Sequence, residues 1–316
     1  MSDQPAVRRS VAARLWRHRS ARWAAAVILL LVVAAVFGPL FSSYGGNQQL
    51  DIVKLKNIPP SWQHPFGTDQ YSRDLLTRVL LGARISLAVA TLAVLMSMTV
   101  GTAYGLVAGY AGGGVDAVMM RVLDGFLSIP RVLLLIAVLT LWNPVPLSGL
   151  IILIGATGWF GVSRIVRGQT MATRQVEFVD AARALGASDT RIIIRHVLPN
   201  IITPVIVTAT LAVGNVIALE AGLSYLGVGA REPTPSWGSI FLDGVEFFAG
   251  NWWVVLFPGI AIVATVLAFN VLGDALRDVL DPRQLHGGPG SPAVPLTASA
   301  ASTAPLTPGT DPIQNG

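Results

Sequence analysis

Val132-Leu133-Leu134-Leu135-Ile136-Ala137-Val138-Leu139-Thr140-Leu141-Trp142-Asn143-Pro144-Val145-Pro146 opens an uncharged run that continues to Ser163. Two prolines in three residues break a helix and suit a tight turn. The apolar piece before them, Val132 to Trp142, is too short to cross a bilayer, which takes about 20 residues. A helix that ends at this turn must start earlier, near Val115, and carry Arg121, Asp124 and Pro130 on its cytoplasmic half. Reading the run as two spans rather than one sets the side of every later segment.

Four other uncharged gaps flank it: Trp23–Leu50, Ile85–Val115, His196–Leu219 and Phe247–Gly273. The first follows six arginines (Arg8, Arg9, Arg14, Arg17, Arg19, Arg22) and has a dense apolar run from Ala24 to Leu40. That run exceeds the ~7–15 residues of a signal-peptide core, and no Ala-x-Ala follows, so an uncleaved first helix with a cytoplasmic N-terminus is expected. Four crossings then return the chain to the cytoplasm by Arg164. The segment Arg164–Arg195, with six arginines, falls inside. Six spans place fifteen basic residues inside against six outside (Lys54, Lys56, Arg73, Arg78, Arg84, Arg231), as the positive-inside rule requires. Arg131 fits neither side.

Composition agrees. The 316 residues are 53% hydrophobic and only 12% charged, where an average soluble domain carries roughly 25% charge. An ordinary cytosolic enzyme is thereby excluded. There is no Cys, so disulfides and thiolate chemistry are excluded too. The two lysines, Lys54 and Lys56, do not follow Gly, so no P-loop exists here. The four histidines are scattered, and neither His-Glu-x-x-His nor Gly-x-Ser-x-Gly occurs. The surplus of 22 basic over 17 acidic residues therefore signals orientation in a membrane rather than nucleic-acid binding. Residues 286–316, rich in Gly, Pro, Ala, Ser and Thr, read as a disordered tail.

The most informative loop is Glu177-Phe178-Val179-Asp180-Ala181-Ala182-Arg183-Ala184-Leu185-Gly186. Phe178, Ala181, Ala182 and Leu185 fall at i, i+3, i+4 and i+7, on one face of a short helix. Gly186 is a left-handed stop, Ser188 or Asp189 caps a second helix, and Leu198-Pro199-Asn200 ends the segment at the membrane. By spacing alone, this helix either lies on the membrane or docks on another protein.

The run Asp180-Ala181-Ala182-x3-Gly186 with Leu198-Pro199 resembles the signature loop of ATP-binding-cassette importer permeases. Asp180 replaces the usual Glu, and His196 the usual Ile. Further runs are similar to the second permease subunit of dipeptide/oligopeptide/nickel importers, across roughly residues 20 to 285. They are His64-Pro65-Phe66-Gly67-Thr68-Asp69, Arg73-Asp74-Leu75-Leu76-x-Arg78, Gly82-Ala83-Arg84-Ile85-Ser86, Leu223-Ser224-Tyr225-Leu226-Gly227-x-Gly229 and Pro233-Thr234-Pro235-Ser236-Trp237-Gly238. Ser72 stands where that family usually has Gly. The resemblance implies an all-α membrane protein of about six transmembrane helices with the type I importer permease fold, both termini cytoplasmic. It would be multi-pass in the plasma membrane of a bacterium. The implied layout is a basic tail (1–22), a first transmembrane helix (23–43), an extracytoplasmic loop with an amphipathic helix (44–83), a permease core (84–285) with the coupling loop 164–199, and the tail 286–316. The implied function is half of a translocation pathway, paired with a homologous permease and fed by an extracytoplasmic substrate-binding protein. Two ATPase subunits would supply ATP and Mg, and this chain would hold no cofactor. Their docking would use Glu177, Phe178, Asp180, Ala181, Ala182, Leu185, Gly186, Leu198 and Pro199. Peptides are the expected cargo; nickel, glutathione and oligosaccharides stay open.

Other residues keep two readings. Arg73 to Arg84, with Leu75, Leu76, Val79, Leu80 and Ala83 apolar, is either an interfacial anchor or, through Arg73, Asp74 and Arg78, a docking surface for the binding protein. Pro235 and Trp237 belong to a cap beneath that protein or to a packed loop. Glu220, the single charge deep in the fifth span, must face protein or water. With Ser224 it marks the pathway or gate, or it is a structural hydrogen-bond partner. Gly101, Gly105 and Gly109 form a small-xxx-small stripe for helix packing, and Arg121 with Asp124 has the spacing of an ion pair. A self-contained secondary transporter would want coupling groups in several helices, which Glu220 alone does not supply. An intramembrane enzyme lacks its catalytic set.

Overall fold

The computed structural model describes residues 14–42, 44–142, 144–230, 234–246 and 250–280. Residues 1–13 of the expected basic tail 1–22, the expected tail 286–316, and Asn143, Arg231, Pro233, Phe247 and Arg283 lie outside the described residues. Among the described residues the regular structure is helical: α1 (Arg19–Phe41), α2 (Leu75–Ala111), α3 (Gly113–Leu127), α4 (Arg131–Leu141), α5 (Leu147–Arg174) and α6 (Glu177–Ala184). Then come α7 (Asp189–Ile192), a π turn (Ile193–Val197), α8 (Leu198–Tyr225), α9 (Trp237–Glu246) and α10 (Trp252–Leu280). Among the described residues, five helical segments are long and apolar enough to cross a membrane, and six if the bent pair α3–α4 is one span.

That pair corrects the sequence expectation of one continuous third helix. The chain bends by 68° between Leu127 and Arg131. Pro130 has no N–H to offer the helix ladder, and its ring collides with the carbonyl four residues back. It adopts φ −56°, ψ 123° and restarts the helix as the N-cap of α4. The second proline turn behaves as read: α4 stops at Leu141, and Pro146 is the N-cap of α5.

The centre of the fold is the parallel pair α2–α5, whose contacts rise together from Ser97 against Gly155 to Gly109 against Arg167. Gly101, Gly105 and Gly109 face Val162, Ser163 and Arg167, and a Cβ on Gly105 would sit 2.6 Å from the Ser163 carbonyl oxygen. With no hydrophobic drive between helices in lipid, this close backbone approach supplies the packing energy. α8 and α10 pack beside the pair, and α1 leans on α10 and α2. Leu29, Leu30, Phe37 and Leu40 of α1 remain exposed, as a lipid-facing helix requires.

α5 runs eleven residues past the uncharged stretch because its arginines find partners. Arg164 pairs with Asp124 of α3, Arg167 contacts both carboxylate oxygens of Asp116 at 2.5 Å, and Arg174 donates to the Tyr110 carbonyl at 2.5 Å. Asp124 thus takes a partner on α5, and the local Arg121–Asp124 pair read from the sequence is replaced.

Candidate functional site

One end of the bundle carries the loop helix α6. It ends in the hydrogen-bond pattern that a left-handed glycine permits. Gly186 has φ +81°, its N–H donates to Arg183 O at 3.0 Å, and Ala187 N–H donates to Ala182 O at 3.1 Å. Ser188 occupies the N-cap position of α7 without a side-chain cap bond. Asp189 instead accepts from the Tyr110 hydroxyl at 2.7 Å, fastening the loop to the end of α2. Pro199 sits in the first turn of α8 just after the π turn. Proline cannot donate to Arg195 O, and the widened turn lets one helical column run from Asp189 to Tyr225.

The four-residue apolar face read from spacing is divided by the fold. Val179 (0% exposed) and Ala182 are buried against this chain, whereas Phe178, Ala181 and Leu185 point outward. Leu185 is 89% exposed. Ala182 therefore belongs to the inner side, because it shares a stripe with Val179 three residues earlier. Glu177 and Asp180 are exposed at the rim, with Asp180 paired to Arg183 at 3.0 Å. Leu198 is partly buried and Pro199 exposed at the head of α8. The result is a small outward apolar knob with an acidic rim, rigidly seated on the bundle.

The other end carries a buried polar cap. Asp74 caps α2, accepting from Thr77 N at 2.9 Å, and its other oxygen contacts His64 Nδ1 at 2.9 Å. Asp69 accepts from Arg73 Nε at 2.7 Å and Arg78 Nη1 at 2.5 Å, and both arginines reach Asp243 of α9 at 3.2 Å. Arg73 (3% exposed) and Arg78 (1%) are buried. So are Asp74, Pro235 and Trp237. Trp237 donates from Nε1 to Val79 O at 3.0 Å. These five side chains are thus buried inside the cap of this chain. The first turns of α2 are embedded in protein, not laid on an interface. Sequence reasoning missed α9 and Asp243; the signal was the pair Arg73 and Arg78, whose burial demands more acid than Asp69 supplies.

Glu220 lies between the cap and the spans. It accepts from Ser86 Oγ of α2 at 3.2 Å and Ser224 Oγ at 2.8 Å, and Trp237 N–H donates to Ser86 Oγ at 3.2 Å. Glu220 and Ser224 are both buried within this chain, in a closed hydrogen-bonded cluster.

A helical bundle broken at one span, with an outward apolar knob on a short loop helix at one end, is the architecture of the membrane subunit of an ABC importer. The chain belongs to the family described as binding-protein-dependent transport system inner membrane component, which matches residues 101–286. The N-terminal transmembrane domain of oligopeptide transport permease C matches residues 8–60. The chain is 41% identical over 271 residues to the dipeptide transport system permease protein DppC of Bacillus subtilis (85% of this chain, 84% of that one). It is 38% identical over 259 residues to the oligopeptide transport system permease protein OppC of the same organism (81% and 83%). It is 41% identical over 273 residues to the glutathione transport system permease protein GsiD of Escherichia coli (85% and 88%). Among solved structures, the inward-facing MetNI methionine ABC transporter shares the fold, with a TM-score of 0.53 at 19% identity over 66% of this chain and 97% of that chain. The protein is a permease subunit of an ABC importer, multi-pass in a bacterial inner membrane.

Proposed function

We propose that this subunit forms half of a peptide pathway, pairs with a homologous permease, and receives force from two ATPase subunits through α6 and the turn after it. Peptide cargo is supported by the names of relatives at about 40% identity, one of which names glutathione, itself a peptide. In this reading the chain hydrolyses no ATP. Both termini and the α6 end face the cytoplasm, and the polar cap is the platform under a substrate-binding protein. Arg73, Asp74, Arg78, Pro235 and Trp237 brace that platform.

One observation carries the coupling role. Phe178, Ala181 and Leu185 form an apolar face that this chain leaves exposed on a helix whose other side is anchored. An exposed leucine on a rigid knob fits a groove of another protein, and burying it there contributes about 1.5–3 kcal/mol. Leu185→Asp tests this with least disturbance to the fold, since Leu185 is 89% exposed; Phe178, 39% exposed with its ring beside His196, is the less clean site. Ala182→Glu would be ambiguous, because Ala182 is packed against its own chain. The expected result is normal insertion, release of the ATPase subunits on detergent extraction, and loss of ATP-driven uptake of a radiolabelled tripeptide. An intact complex with full uptake would leave α6 a membrane-surface helix.

A further inference from the structure

Arg131, the basic residue that the charge count does not place, begins α4 at the break of the third span. Ten residues separate it from Leu141, so it lies ~15 Å from the outer end of that helix at 1.5 Å per residue. Its partners on α5, Ile154 and Thr157, are ~10–15 Å from Leu147 by the same measure. In a hydrocarbon layer ~30 Å thick both estimates put the guanidinium near mid-depth.

The side chain shares a stripe with Leu135 and Leu139, the two buried residues of α4. Nε donates to Thr157 Oγ1 at 3.1 Å and Nη2 to Ile154 O at 2.8 Å. Three of the five N–H groups of an arginine remain for a further acceptor. Arg164 and Arg167 of α5 each have an aspartate. Among the described residues Arg131 has none, and it is only partly buried. Lipid at that depth offers methylene groups alone, and the headgroup phosphates are ~15 Å away. A charge so placed faces a water-filled pathway, and a guanidinium fork matches a carboxylate.

We infer that Arg131 lines the translocation pathway and binds the carboxylate of a peptide in transit. This rests on the peptide reading above. The natural absence of cysteine makes the test direct. Arg131→Cys is made in the complete complex and treated with two methanethiosulfonates, one carrying an ammonium group and one a sulfonate. Both should react from aqueous solution. Only the ammonium reagent, which restores the positive charge, should restore trialanine uptake. Arg131→Gln should lower trialanine uptake at least roughly ten-fold, the factor of one charge-assisted hydrogen bond. Arg131→Lys should retain most of it.

A thiol that neither reagent reaches would overturn the placement. Equal rescue by both reagents, or full uptake by Arg131→Gln, would overturn the carboxylate role. Loss of the partner permease from Arg131→Gln on extraction would instead assign the guanidinium to an acid of that subunit. If the parent complex imports no trialanine, the peptide reading fails by itself, and thiol labelling still decides whether Arg131 faces water.

Discussion

Ser72→Gly should stabilise this protein, although it removes a side chain from a fully buried site. Ser72 has φ +59°, a left-handed conformation that costs an ordinary residue roughly 1–2 kcal/mol. Its Oγ is buried without a hydrogen-bond partner, which adds roughly 1–3 kcal/mol of uncompensated desolvation. Against these stand the greater freedom glycine loses on folding, about 0.5–1 kcal/mol, and the small void left behind, about 1 kcal/mol. The backbone bonds of the turn, Ser72 N–H to Asp69 O at 3.0 Å and Leu50 N–H to Ser72 O at 3.2 Å, do not involve the side chain. The net expectation is a gain of about 1–2 kcal/mol, read as a rise of a few degrees in the thermal unfolding midpoint of the detergent-purified complex. Ser72→Ala separates the contributions, since it removes the hydroxyl and keeps the Cβ; it should give a smaller gain. A midpoint that falls in Ser72→Gly would refute the reasoning and mean that the hydroxyl has a native partner. No change in either variant would mean that the turn relaxes to avoid the strain.

Gly105→Val should prevent stable folding, since the new Cβ would meet the Ser163 carbonyl at 2.6 Å and force α2 from α5; size-exclusion profiles after extraction should show aggregation, and a monodisperse complex would contradict the packing assignment. Glu220→Gln keeps one carbonyl acceptor for one of the Ser86 and Ser224 hydroxyls and offers an N–H to the oxygen of the other, so it should cost about 1 kcal/mol, whereas Glu220→Ala leaves both hydroxyl protons without this acceptor beside a void and should cost about 2–5 kcal/mol. Equal midpoints for the two variants would remove the structural role of the carboxylate.

What the sequence discloses depends on whether a constraint is local. A bilayer demands a minimum apolar length, so the spans and the Pro144–Pro146 turn were readable from runs of residues. Gly186 was readable because a left-handed stop needs glycine, and Ser72 stood out for the same conformational reason: the structure puts it at positive φ, where the resembled family uses glycine. The inward side of α6 was not readable. Over eight residues the stripe through Phe178, Ala181 and Leu185 and the stripe through Val179 and Ala182 are both apolar, and only the bundle beneath selects between them.

Charge pairing was the least legible part. The i, i+3 rule proposes Arg121 for Asp124, yet Asp124 takes Arg164, forty residues away. Arg73 and Arg78 likewise draw Asp243 from α9, 170 and 165 residues on. Inside a membrane protein the cost of an unpartnered charge grows with its depth and burial. Partners are therefore matched by the level at which the helices bring them together, and spacing along one helix decides only pairs that water can reach, such as Asp180 and Arg183 on exposed α6. On that criterion a partly exposed charge that has neither an opposite nor enough hydrogen-bond partners at its own level marks a place where the protein expects something else to bring them. Arg131 is in that position, beside the broken span, and Glu220 is not, because three hydroxyl-bearing residues from α2, α8 and the turn before α9 already surround it.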